Sequence, residues 1–362
     1  MKKIGIIARG LTRGGVTRVI NNLLREFDLN KNHQFYLFTD EKKYLEKFKN
    51  LKVVYTKKSN KLFWDYLKIL PQFKKNKIDC MIYPKNIIPV THLFFNFKKY
   101  NIINDLGYFE KNLNAYKFWD TLYMKSLMKL SCKISDKILA ISKNTKKEIV
   151  DILKIKHKKI KVVHLAVENK FKIIKDKNYL NKIKNKYNLE QPFIFYCGSI
   201  TPRKNISRML KSFNEVKNEI PHNFYLTGRV EWGDNNFESY IKENNLQRRI
   251  KKTGFIDEED LPALYNLADM LLFPSLYEGF GLPILEAQAC GCPVLTSDKT
   301  SCPEVAGDSA YIANPRKTKE ISKGITKILK NDSYKKSLIE KGFDNIKKFS
   351  WKKTADNILN LI

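Results

Sequence analysis

The sequence predicts an α/β protein built from two doubly wound domains that face each other across a cleft. Both halves of the chain alternate short apolar runs with amphipathic segments, which is the pattern of parallel α/β sheets. The chain has 362 residues, enough for two domains of ordinary size, and 43% of them are hydrophobic, enough for two sizeable cores. The two halves also share one design, which favours two similar domains.

In the first half, short apolar runs predict six strands of a parallel sheet. They lie near Ile4–Ala8, Phe35–Thr39, Lys52–Tyr55, Asp79–Tyr83, Lys137–Ile141 and Lys161–Leu165. The segment that follows Gly15 has apolar residues at helical spacing, so a Gly14–Gly15 loop joins the first strand to a helix. A loop in this position lies where α/β sheets bind ligands, although a Gly-Gly pair is also a common turn.

The second half repeats the alternation of strands and helices. Strands are predicted at Phe193–Tyr196, Asn223–Leu226, Met270–Phe273 and Pro293–Thr296, and helices at Ile206–Lys217, at Glu258–Asn266 and from Lys317 onward. The polar, lysine-rich stretch Glu168–Gln191 has no predicted strand and is interpreted as a linker with a helix. We therefore expect a first domain at residues 1–167, a linker at 168–191, a second domain at 192–345 and a closing helix at 346–362.

The formal net charge of +31 has two interpretations. It favours an acidic partner, such as an anionic membrane surface, a phosphate-rich substrate or nucleic acid. It also fits a composition rich in lysine, asparagine and isoleucine, since the lysines are spread along the whole chain. A basic nucleic-acid-binding protein is the alternative from another class. It has no recognisable reader motif and explains none of the glycines and glutamates of the second half, so we expect no nucleic-acid partner.

The cysteines and the N-terminus indicate in which cellular compartment the protein is expected. The six cysteines form no CxxC pair, and no histidine lies at ligand spacing from them, so no metal site is expected. Scattered cysteines without a secretion signal indicate reduced, buried thiols in a cytoplasmic protein. The apolar run after the two N-terminal lysines is shorter than a signal-peptide core, and no run of about 18 apolar residues predicts a transmembrane helix.

The stretch 275–303, SLYEGFGLPILEAQACGCPVLTSDKTSCP, carries the strongest functional pattern. Glu278 and Glu286 are eight residues apart, with a Gly-Phe-Gly turn and Pro283 between them. Pro283 suits the first turn of a helix. A glycine-rich turn that leads into a helix start is an anion site, because unpaired N–H groups and the positive end of the dipole point outward. A carboxylate on each side of such a site predicts a ligand with a central diphosphate and hydroxyl-rich ends, such as a nucleotide sugar.

Three further loops of the second half are expected on the same edge of the second sheet. Gly198 opens the first loop, and Arg203 and Lys204 end it before a helix. Arg can bind two phosphate oxygens and Lys adds a point charge, although a single lysine of this chain is more often a solvated surface residue. Gly228 in the second loop permits close approach of a ligand or forms a simple turn. Ile256 in the third loop offers an apolar surface for a nucleotide base, and the aspartate after it also suits a helix N-cap.

From about Phe193 to Pro315, the chain resembles the retaining glycosyltransferases of family 4, which have the two-domain GT-B fold. The resemblance is carried by YCGSITPRKN, by GFIDEEDLPALYNLADMLLFPSLYEGFGLPILEAQACGCPVLTSD and by CPEVAGDSA. Fainter counterparts are the Gly14–Gly15 loop, the run Ser135–Ser142 and the closing FSWKKTA. The final helix of such enzymes crosses back to the first domain, which implies that Trp351 packs at the crossing.

The resemblance implies a role for each motif residue. Glu278 would hydrogen-bond hydroxyls of the donor sugar, and Glu286 would hold the nucleotide ribose. Arg203 and Lys204 would bind the diphosphate and stabilise it as it leaves, and with Glu278 they form the expected catalytic set. Gly15 would let the loop of the first domain close over the phosphates. The other expected donor-binding positions are Gly198, Gly228, Ile256, Phe280, Gly281 and Leu282, the last three through backbone N–H groups.

One stretch departs from the family pattern. Family members often have a His-Asp pair in the first domain, close to the reacting sugar carbon, and the matching residues here are Asn104 and Asp105. Asn104 can hydrogen-bond a sugar or acceptor hydroxyl but cannot act as a base. A histidine-dependent step is therefore in doubt, and His92 and His164 elsewhere in the first half are interpreted as structural.

The two glutamates do not fit the carboxylate pair of a retaining glycosidase, in which one carboxylate attacks the sugar carbon. Glu278 precedes the turn, and Glu286 lies in the helix on the ribose side of the diphosphate. The resemblance therefore implies front-face substitution, in which the leaving diphosphate accepts the acceptor's proton. Arg203 and Lys204 stabilise the charge that develops on the diphosphate, so neither a metal nor a cofactor is expected.

The wording of the glutamate motif and of CPEVAGDSA is most similar to mannosyltransferases of surface-polysaccharide assembly, so GDP-mannose is the first expected donor. The alternative is a UDP- or dTDP-sugar, for glucosyl, N-acetylhexosaminyl or rhamnosyl transfer. The acceptor, a saccharide or lipid-linked saccharide, should contact the first domain. Two aromatic and basic segments there, Leu62–Lys77 and Tyr116–Lys129, suit a peripheral position on the inner face of the plasma membrane, or an ordinary core with a solvated face.

Overall fold

The structure is a computed structural model that describes residues 1–11, 14–110, 118–230 and 237–362. Within this part, the chain divides into two compact units. The first unit holds Met1–Phe109, 118–165 and Ser350–Ile362, and the second holds Ala166–Phe349. The chain passes between the units at Leu165, close to the boundary expected at 167, and the stretch expected as a linker at 168–191 belongs to the second unit.

The first unit contains a parallel sheet with the strand order β3-β2-β1-β4-β5-β6-β7. Its strands are β1 (Lys3–Ile7), β2 (Gln34–Thr39), β3 (Lys52–Tyr55), β4 (Cys80–Tyr83), β5 (Lys98–Ile103), β6 (Lys137–Ala140) and β7 (Ile160–Val162). Ile4 at the centre of β1 pairs with Phe35 on one side and Cys80 on the other. The order reverses between β1 and β4, and such a switch point opens a crevice at the carboxyl ends of the strands.

The second unit contains a parallel sheet of the same type, with the order β10-β9-β8-β11-β12-β13. Its strands are β8 (Phe193–Cys197), β9 (Asn223–Thr227), β10 (Ile250–Gly254), β11 (Met270–Phe273), β12 (Val294–Ser297) and β13 (Ala310–Ala313). The order reverses between β8 and β11. The expected pair of doubly wound domains is thus confirmed.

Helices connect the strands and cover the sheets. They are α1 (Gly15–Leu29), α2 (Lys61–Phe63), α3 (Leu70–Asn76), α4 (Phe118–Ile134), α5 (Lys143–Leu153), α6 (Lys177–Lys186), α7 (Ile206–Val216), α8 (Phe237–Glu243), α9 (Leu261–Leu267), α10 (Leu282–Ala289), α11 (Cys302–Ala306), α12 (Thr318–Lys330), α13 (Asp332–Ile346) and α14 (Trp351–Leu359). In α1 the apolar positions that predict the helix are the buried ones, Val19, Ile20, Leu23, Leu24 and Phe27.

Strand β5 lies inside the first sheet, yet the sequence analysis missed it because two polar side chains interrupt its apolar run. Lys99 is buried and its ammonium donates to the carbonyl oxygens of Phe95 and Phe97, each at 3.0 Å. Asn101 is also buried and donates to the carbonyl oxygen of Asn86 at 3.1 Å. Both groups replace hydration with backbone hydrogen bonds, which a single sequence does not reveal.

The other missed strands, β10 and β13, are the two edges of the second sheet. Edge strands are paired on one side and half solvated, so they need no continuous apolar run. In β10, exposed and partly exposed side chains alternate after the buried Ile250. Polar edge strands of this kind give a weak sequence signal.

The closing helix α14 belongs to the first unit, as expected. It packs against α1, and Trp351 at its start is buried. The Thr354 hydroxyl donates to the carbonyl oxygen of His164 at 2.6 Å, and the Tyr100 hydroxyl donates to the carbonyl oxygen of Leu361 at 2.7 Å. These bonds attach the end of the chain to the sheet that its beginning forms.

The aromatic and basic segment Leu62–Lys77 forms α2, a π-helical turn at Trp64–Lys68, and α3. Trp64 and Phe73 are buried in the core, so part of the segment is ordinary core. Exposed apolar side chains on it are Leu62, Phe63 and Leu67. The second such segment, Tyr116–Lys129, begins outside the described residues and continues in α4.

The cysteine thiols are free, and all of them are buried except the partly exposed Cys197. Across the described ranges, we find no helix with the length and apolar character needed to span a bilayer.

Candidate functional site

The loops after β8, β9 and β10 meet at the carboxyl edge of the second sheet. The Gly198 N–H donates to the carbonyl oxygen of Thr227 at 3.0 Å, and the Gly228 N–H donates to that of Gly254 at 3.3 Å. Gly228 has φ +140°, and a Cβ at this position would lie 1.9 Å from the carbonyl oxygen of Gly198. The close approach expected of Gly228 is therefore an approach to the neighbouring loop, which brings the two loops together.

Arg203 and Lys204 lie in a short 3-10 turn, Pro202–Lys204, between β8 and α7, and both contact Glu278. The Lys204 ammonium donates to one carboxylate oxygen of Glu278 at 2.5 Å. Arg203 Nη1 lies 3.3 Å from the other oxygen and 3.3 Å from the carbonyl oxygen of Tyr277. Lys204 and Glu278 are buried, whereas Arg203 is about a fifth exposed. The structure thus brings together the three residues expected to be catalytic.

Charge and burial compete in this cluster. Burial alone would raise the pKa of Glu278, but the charges of Lys204 and Arg203 outweigh it and hold the pKa below its usual value. Burial and the neighbouring Arg203 lower the pKa of Lys204, and its contact with Glu278 opposes that shift. The carboxylate is therefore ionised at neutral pH, and it lies between two cationic side chains.

A neighbouring loop holds the backbone around Glu278. The Ser301 hydroxyl lies 2.9 Å from the carbonyl oxygens of both Glu278 and Phe280, and the Thr300 hydroxyl accepts from the Glu278 N–H at 3.0 Å. This pair was not predicted from the sequence. The available signal was the Thr-Ser pair three residues after β12 ends, on the same edge of the sheet as the glutamate motif.

Asn205, which follows Lys204, fixes the first loop against the glutamate loop. It is buried in the left-handed conformation, with φ 68°, which asparagine tolerates better than most residues. Its amide donates to the carbonyl oxygens of Pro274 at 2.9 Å and Pro315 at 2.7 Å. The Leu276 N–H donates to the carbonyl oxygen of Arg203 at 2.8 Å. Asn205 is a positioning residue that the sequence analysis quoted without giving it a role.

The glutamate motif enters α10 as predicted. Gly281 precedes the helix with φ +103°, and Pro283 lies in the first turn. Phe280 is buried and packs edge-to-face on Phe349, with ring centroids 5.9 Å apart. Glu286 is only 1% exposed, and one of its oxygens accepts from the hydroxyl of Tyr265 at 3.0 Å. Leu282, as the first residue of the helix, directs its backbone N–H toward the helix start.

The remaining donor-binding position in the second unit, Ile256, is buried in the loop between β10 and α9. The expected position in the first unit, Gly15, is exposed as the first residue of α1, and Gly14 before it has φ 131°. The loop residues 12 and 13 lie outside the described residues.

Asn104 and Asp105 follow β5 in the first unit. The Asn104 amide donates to the carbonyl oxygen of Pro84 at 3.0 Å and to Asn86 Oδ1 at 3.2 Å, and the residue is 8% exposed. Asp105 Oδ1 accepts from the Gly107 N–H at 3.0 Å. These bonds give both residues a role in loop structure. His92 is fully buried between the Tyr83 hydroxyl and the Asp65 carbonyl oxygen, and burial lowers its pKa to about 4.

The second-unit cluster can hold a polyanion. Two adjacent cations lie beside a helix start in a largely buried site, where electrostatic interactions are stronger than in water. Glu278 neutralises part of their charge, and two hydrogen bonds to its backbone hold its position. Within the described ranges, we find no group of three or more His, Cys, Asp or Glu side chains that could hold a metal ion.

Residues 180–344 match the family described as glycosyl transferases group 1. Two relatives from Escherichia coli are similar to the chain. O-antigen chain mannosyltransferase B is 32% identical over 241 residues, which are 66% of this chain and 63% of that one. Serotype-specific mannosyltransferase WbdA is 32% identical over 226 residues, which are 61% of this chain and 28% of that one. The chain therefore spans less than two thirds of the length of either relative.

Solved structures of low sequence identity share the fold. Sucrose-phosphate synthase from Thermosynechococcus elongatus superposes with a TM-score of 0.82 at 18% identity, over 100% of this chain and 98% of that one. WaaG, a glycosyltransferase involved in lipopolysaccharide biosynthesis, superposes with a TM-score of 0.77 at 14% identity, over 99% of each chain. At these identities the likeness establishes the fold alone, which is the expected GT-B fold.

The contact between the first two loops predicts a contrast between two glycines of one sheet edge. Gly228→Ala should destabilise the second unit by more than about 3 kcal/mol, because the new methyl group would overlap the Gly198 carbonyl. Gly254→Ala, with φ +71° and open space around it, should cost only about 1–2 kcal/mol. Urea unfolding followed by circular dichroism measures both. Equal destabilisation by the two substitutions would contradict the proposed loop contact.

Proposed function

We propose that this chain, whose residues 180–344 belong to the group 1 glycosyl transferases, moves a hexose from a nucleotide-diphosphate sugar to a saccharide acceptor and retains the anomeric configuration. The observation that carries the proposal is the buried cluster of Arg203, Lys204 and Glu278 beside the start of α10. Such a cluster suits a diphosphate with a sugar on one side. The two mannosyltransferase relatives support transfer of a hexose in surface-polysaccharide or lipopolysaccharide synthesis.

In the proposed reaction the bond between the anomeric carbon and the diphosphate breaks while the acceptor oxygen bonds to the same face of that carbon. The acceptor's proton passes to an oxygen of the leaving diphosphate. Arg203 and Lys204 stabilise the charge that develops on the diphosphate, in a site with little water. Glu278 is ionised and bound to both cations, so it suits orienting sugar hydroxyls better than attacking the sugar carbon.

The proposal assigns Glu286 to the ribose. Its carboxylate is buried, the Tyr265 hydroxyl donates to one of its oxygens, and a carboxylate is a suitable acceptor for ribose hydroxyls. Ile256 would offer an apolar surface to the base, and the N–H groups from Phe280 to Leu282 would bind phosphate oxygens. Gly15 and Asn104 remain proposed contacts of the first unit with the donor or the acceptor.

Removing either cation should slow transfer. Arg203→Gln and Lys204→Gln should each lower kcat by about 100–1000-fold, because each removes a charged donor from the leaving group. Lys211→Gln, on the exposed face of α7, is the matched control and should keep the wild-type rate. A radiolabelled or mass-spectrometric transfer assay measures all three. Wild-type rates in both cluster variants would rule out the assigned roles.

We also propose that transfer needs no metal ion, because the two cations and the helix start supply the charge that a metal would provide. The same assay in EDTA should therefore give the rate measured without it. Loss of activity in EDTA, restored by a divalent cation, would overturn this part of the proposal.

We propose GDP-mannose as the donor, on the support of the two relatives named as mannosyltransferases. In a thermal-shift screen of GDP-, UDP-, dTDP- and ADP-sugars, GDP-mannose should raise Tm most, since only a ligand that binds the folded state stabilises it. The shift should be smaller in the Lys204→Gln variant, which keeps only one of the two cations. A larger increase in Tm with a UDP- or dTDP-sugar would contradict GDP-mannose as the donor and favour that sugar instead.

We propose in addition that the first unit lies on an anionic membrane surface. Exposed apolar side chains and the net charge of +31 support this position. Phe94 is 88% exposed, and Phe63 is 51% exposed. Liposome flotation should recover the protein with anionic vesicles and less with neutral ones. Phe63→Ser/Phe94→Ser should float less, whereas Leu29→Ser, at a site 73% exposed, should not change recovery. Equal recovery with both vesicle types, or none with either, would contradict the idea.

A further inference from the structure

A cavity of about 420 Å³ lies in the first unit, where the strand order of its sheet reverses. Ile7 at the end of β1 and Tyr83 at the end of β4 both line it, so it occupies the crevice that this topology creates. Tyr66, Tyr108 and Tyr123 also line it. We refer to this cavity as the tyrosine pocket. Its aromatic rings provide the flat apolar surfaces on which sugar rings pack.

The tyrosine pocket carries more positive than negative charge. Arg9, Lys61 and Lys85 line it together with Asp65. The Asp65 carboxylate is already bound to Arg9 Nε at 2.8 Å. The ammonium of Lys85 donates to the carbonyl oxygens of Arg9 at 2.6 Å and Gly10 at 3.3 Å. In the described part of the chain, neither Lys61 nor Lys85 forms an ion pair.

One other acidic group acts on the pocket. Asp40, at the end of β2, interacts with Lys85 through its charge, and its Oδ1 accepts from the Gly10 N–H at 2.9 Å. The charged groups around Lys85 are therefore Arg9 and Lys61, which are positive, and Asp40 and Asp65, which are negative. Asp65 is paired with Arg9 and Asp40 accepts from a backbone N–H, and three positive charges against two negative ones favour binding of an anion.

A second cavity of about 420 Å³ adjoins the tyrosine pocket and is almost entirely apolar. Its lining residues are Leu62, Tyr66, Tyr123, Ser126 and Leu127. Two of these residues, Tyr66 and Tyr123, line both cavities. A cationic pocket and an apolar groove are thus joined across a pair of tyrosine rings, and the ammonium of Lys61 lies 6.0 Å from the Tyr123 ring.

Resting on the proposed function, we propose that the tyrosine pocket and the apolar groove together bind the acceptor, and that the acceptor is an amphiphile. Its saccharide would pack on the tyrosines, and a phosphate beside the saccharide would bind Lys61 and Lys85. A hydrocarbon chain attached to the phosphate would lie in the groove. Charge complementarity supports the phosphate, and the shared Tyr66 and Tyr123 support the attachment of phosphate and chain to each other.

Three probes separate the two halves of the site. Dodecyl phosphate carries both an anion and a chain, inorganic phosphate carries the anion alone, and dodecyl maltoside carries a sugar and a chain without charge. Isothermal titration of the full-length protein, below the micelle concentration of each detergent, should give dodecyl phosphate at least about tenfold tighter binding than either other probe. Equal affinity for dodecyl phosphate and inorganic phosphate would contradict binding of the hydrocarbon chain in the groove. Equal affinity for the two alkyl probes would contradict binding of an anion in the tyrosine pocket.

Substitutions in the pocket and in the groove test which residues bind the probes. The double variant Lys61→Gln/Lys85→Gln should bind dodecyl phosphate about tenfold or more weakly, because charge-assisted contacts are lost. Its affinity for dodecyl maltoside should not change. Leu62→Ser should lower the affinity for both alkyl probes. The matched controls are Lys58→Gln and Leu67→Ser, at exposed positions outside both cavities, and should bind as wild type. Wild-type affinity in the lysine double variant would place the anion elsewhere and overturn the proposal.

The pH dependence gives an independent readout at Lys85. Partial desolvation and the charges of Arg9 and Lys61 lower the pKa of Lys85 to about 8. This lysine therefore loses its charge as pH rises through about 8, while a phosphate monoester, with a second pKa of about 6, stays fully charged. Dodecyl phosphate should bind more weakly at pH 9 than at pH 7, and binding at pH 8 should take up protons. Lys85→Gln should abolish the uptake, and unchanged uptake in this variant would count against the assignment.

The two proposals can fail separately. Binding of nucleotide sugar tests the second-unit site, and Lys204→Gln should weaken it while the affinity for dodecyl phosphate stays unchanged. A chain that binds nucleotide sugar but shows no preference for dodecyl phosphate would overturn the acceptor site alone. A chain that prefers dodecyl phosphate but binds no nucleotide sugar would overturn the proposed transfer reaction and leave an amphiphile-binding site.

Discussion

The ion pair between Lys204 and Glu278, extended by Arg203, is the constraint on which the second unit's site depends. Removing charges from water costs several kcal/mol per ion, and the cost is recovered only when each charge has well-placed partners. The surrounding loops supply them. Ser301 and Thr300 hold the backbone at Glu278, and Asn205 holds the loop that carries the cations. Loss of one member would leave an uncompensated buried charge, so the cluster is formed as a unit.

This constraint also separates positioning from covalent chemistry. A carboxylate that attacks a sugar carbon must present an oxygen to that carbon, whereas both oxygens of Glu278 face cations. Two adjacent cationic side chains suit a ligand that brings negative charge of its own. A diphosphate would share the two cations with Glu278 and leave the carboxylate beside the sugar. The geometry therefore favours catalysis by charge stabilisation over catalysis by a protein nucleophile.

The sequence predicted the parts that depend on local pattern. Apolar runs indicated most of the strands, and the glutamate motif indicated the turn into α10. The contributions of Ser301 and Asn205 were not predictable, because their bonds reach groups 23 and 110 residues away along the chain. Strand β5 was missed for a related reason, since the Asn101 amide donates to a carbonyl oxygen 15 residues earlier in the chain. The site's charged residues were thus readable from sequence, and the residues that orient them were not.

The partners of the lysines, more than their number, distinguish the two units. A charge of +31 spread along the chain does not locate a binding site. In the second unit the cations are buried and already share a carboxylate, which suits one ligand held in one orientation. In the first unit Lys61 and Lys85 line an open pocket in which Asp65 is paired with Arg9 and Asp40 accepts from the Gly10 N–H. The Lys204 ammonium is oriented by its ion pair with Glu278, whereas in the described residues no carboxylate lies within ion-pair distance of Lys61 or Lys85. Selectivity in the first pocket must therefore come from the tyrosines and the adjoining apolar groove.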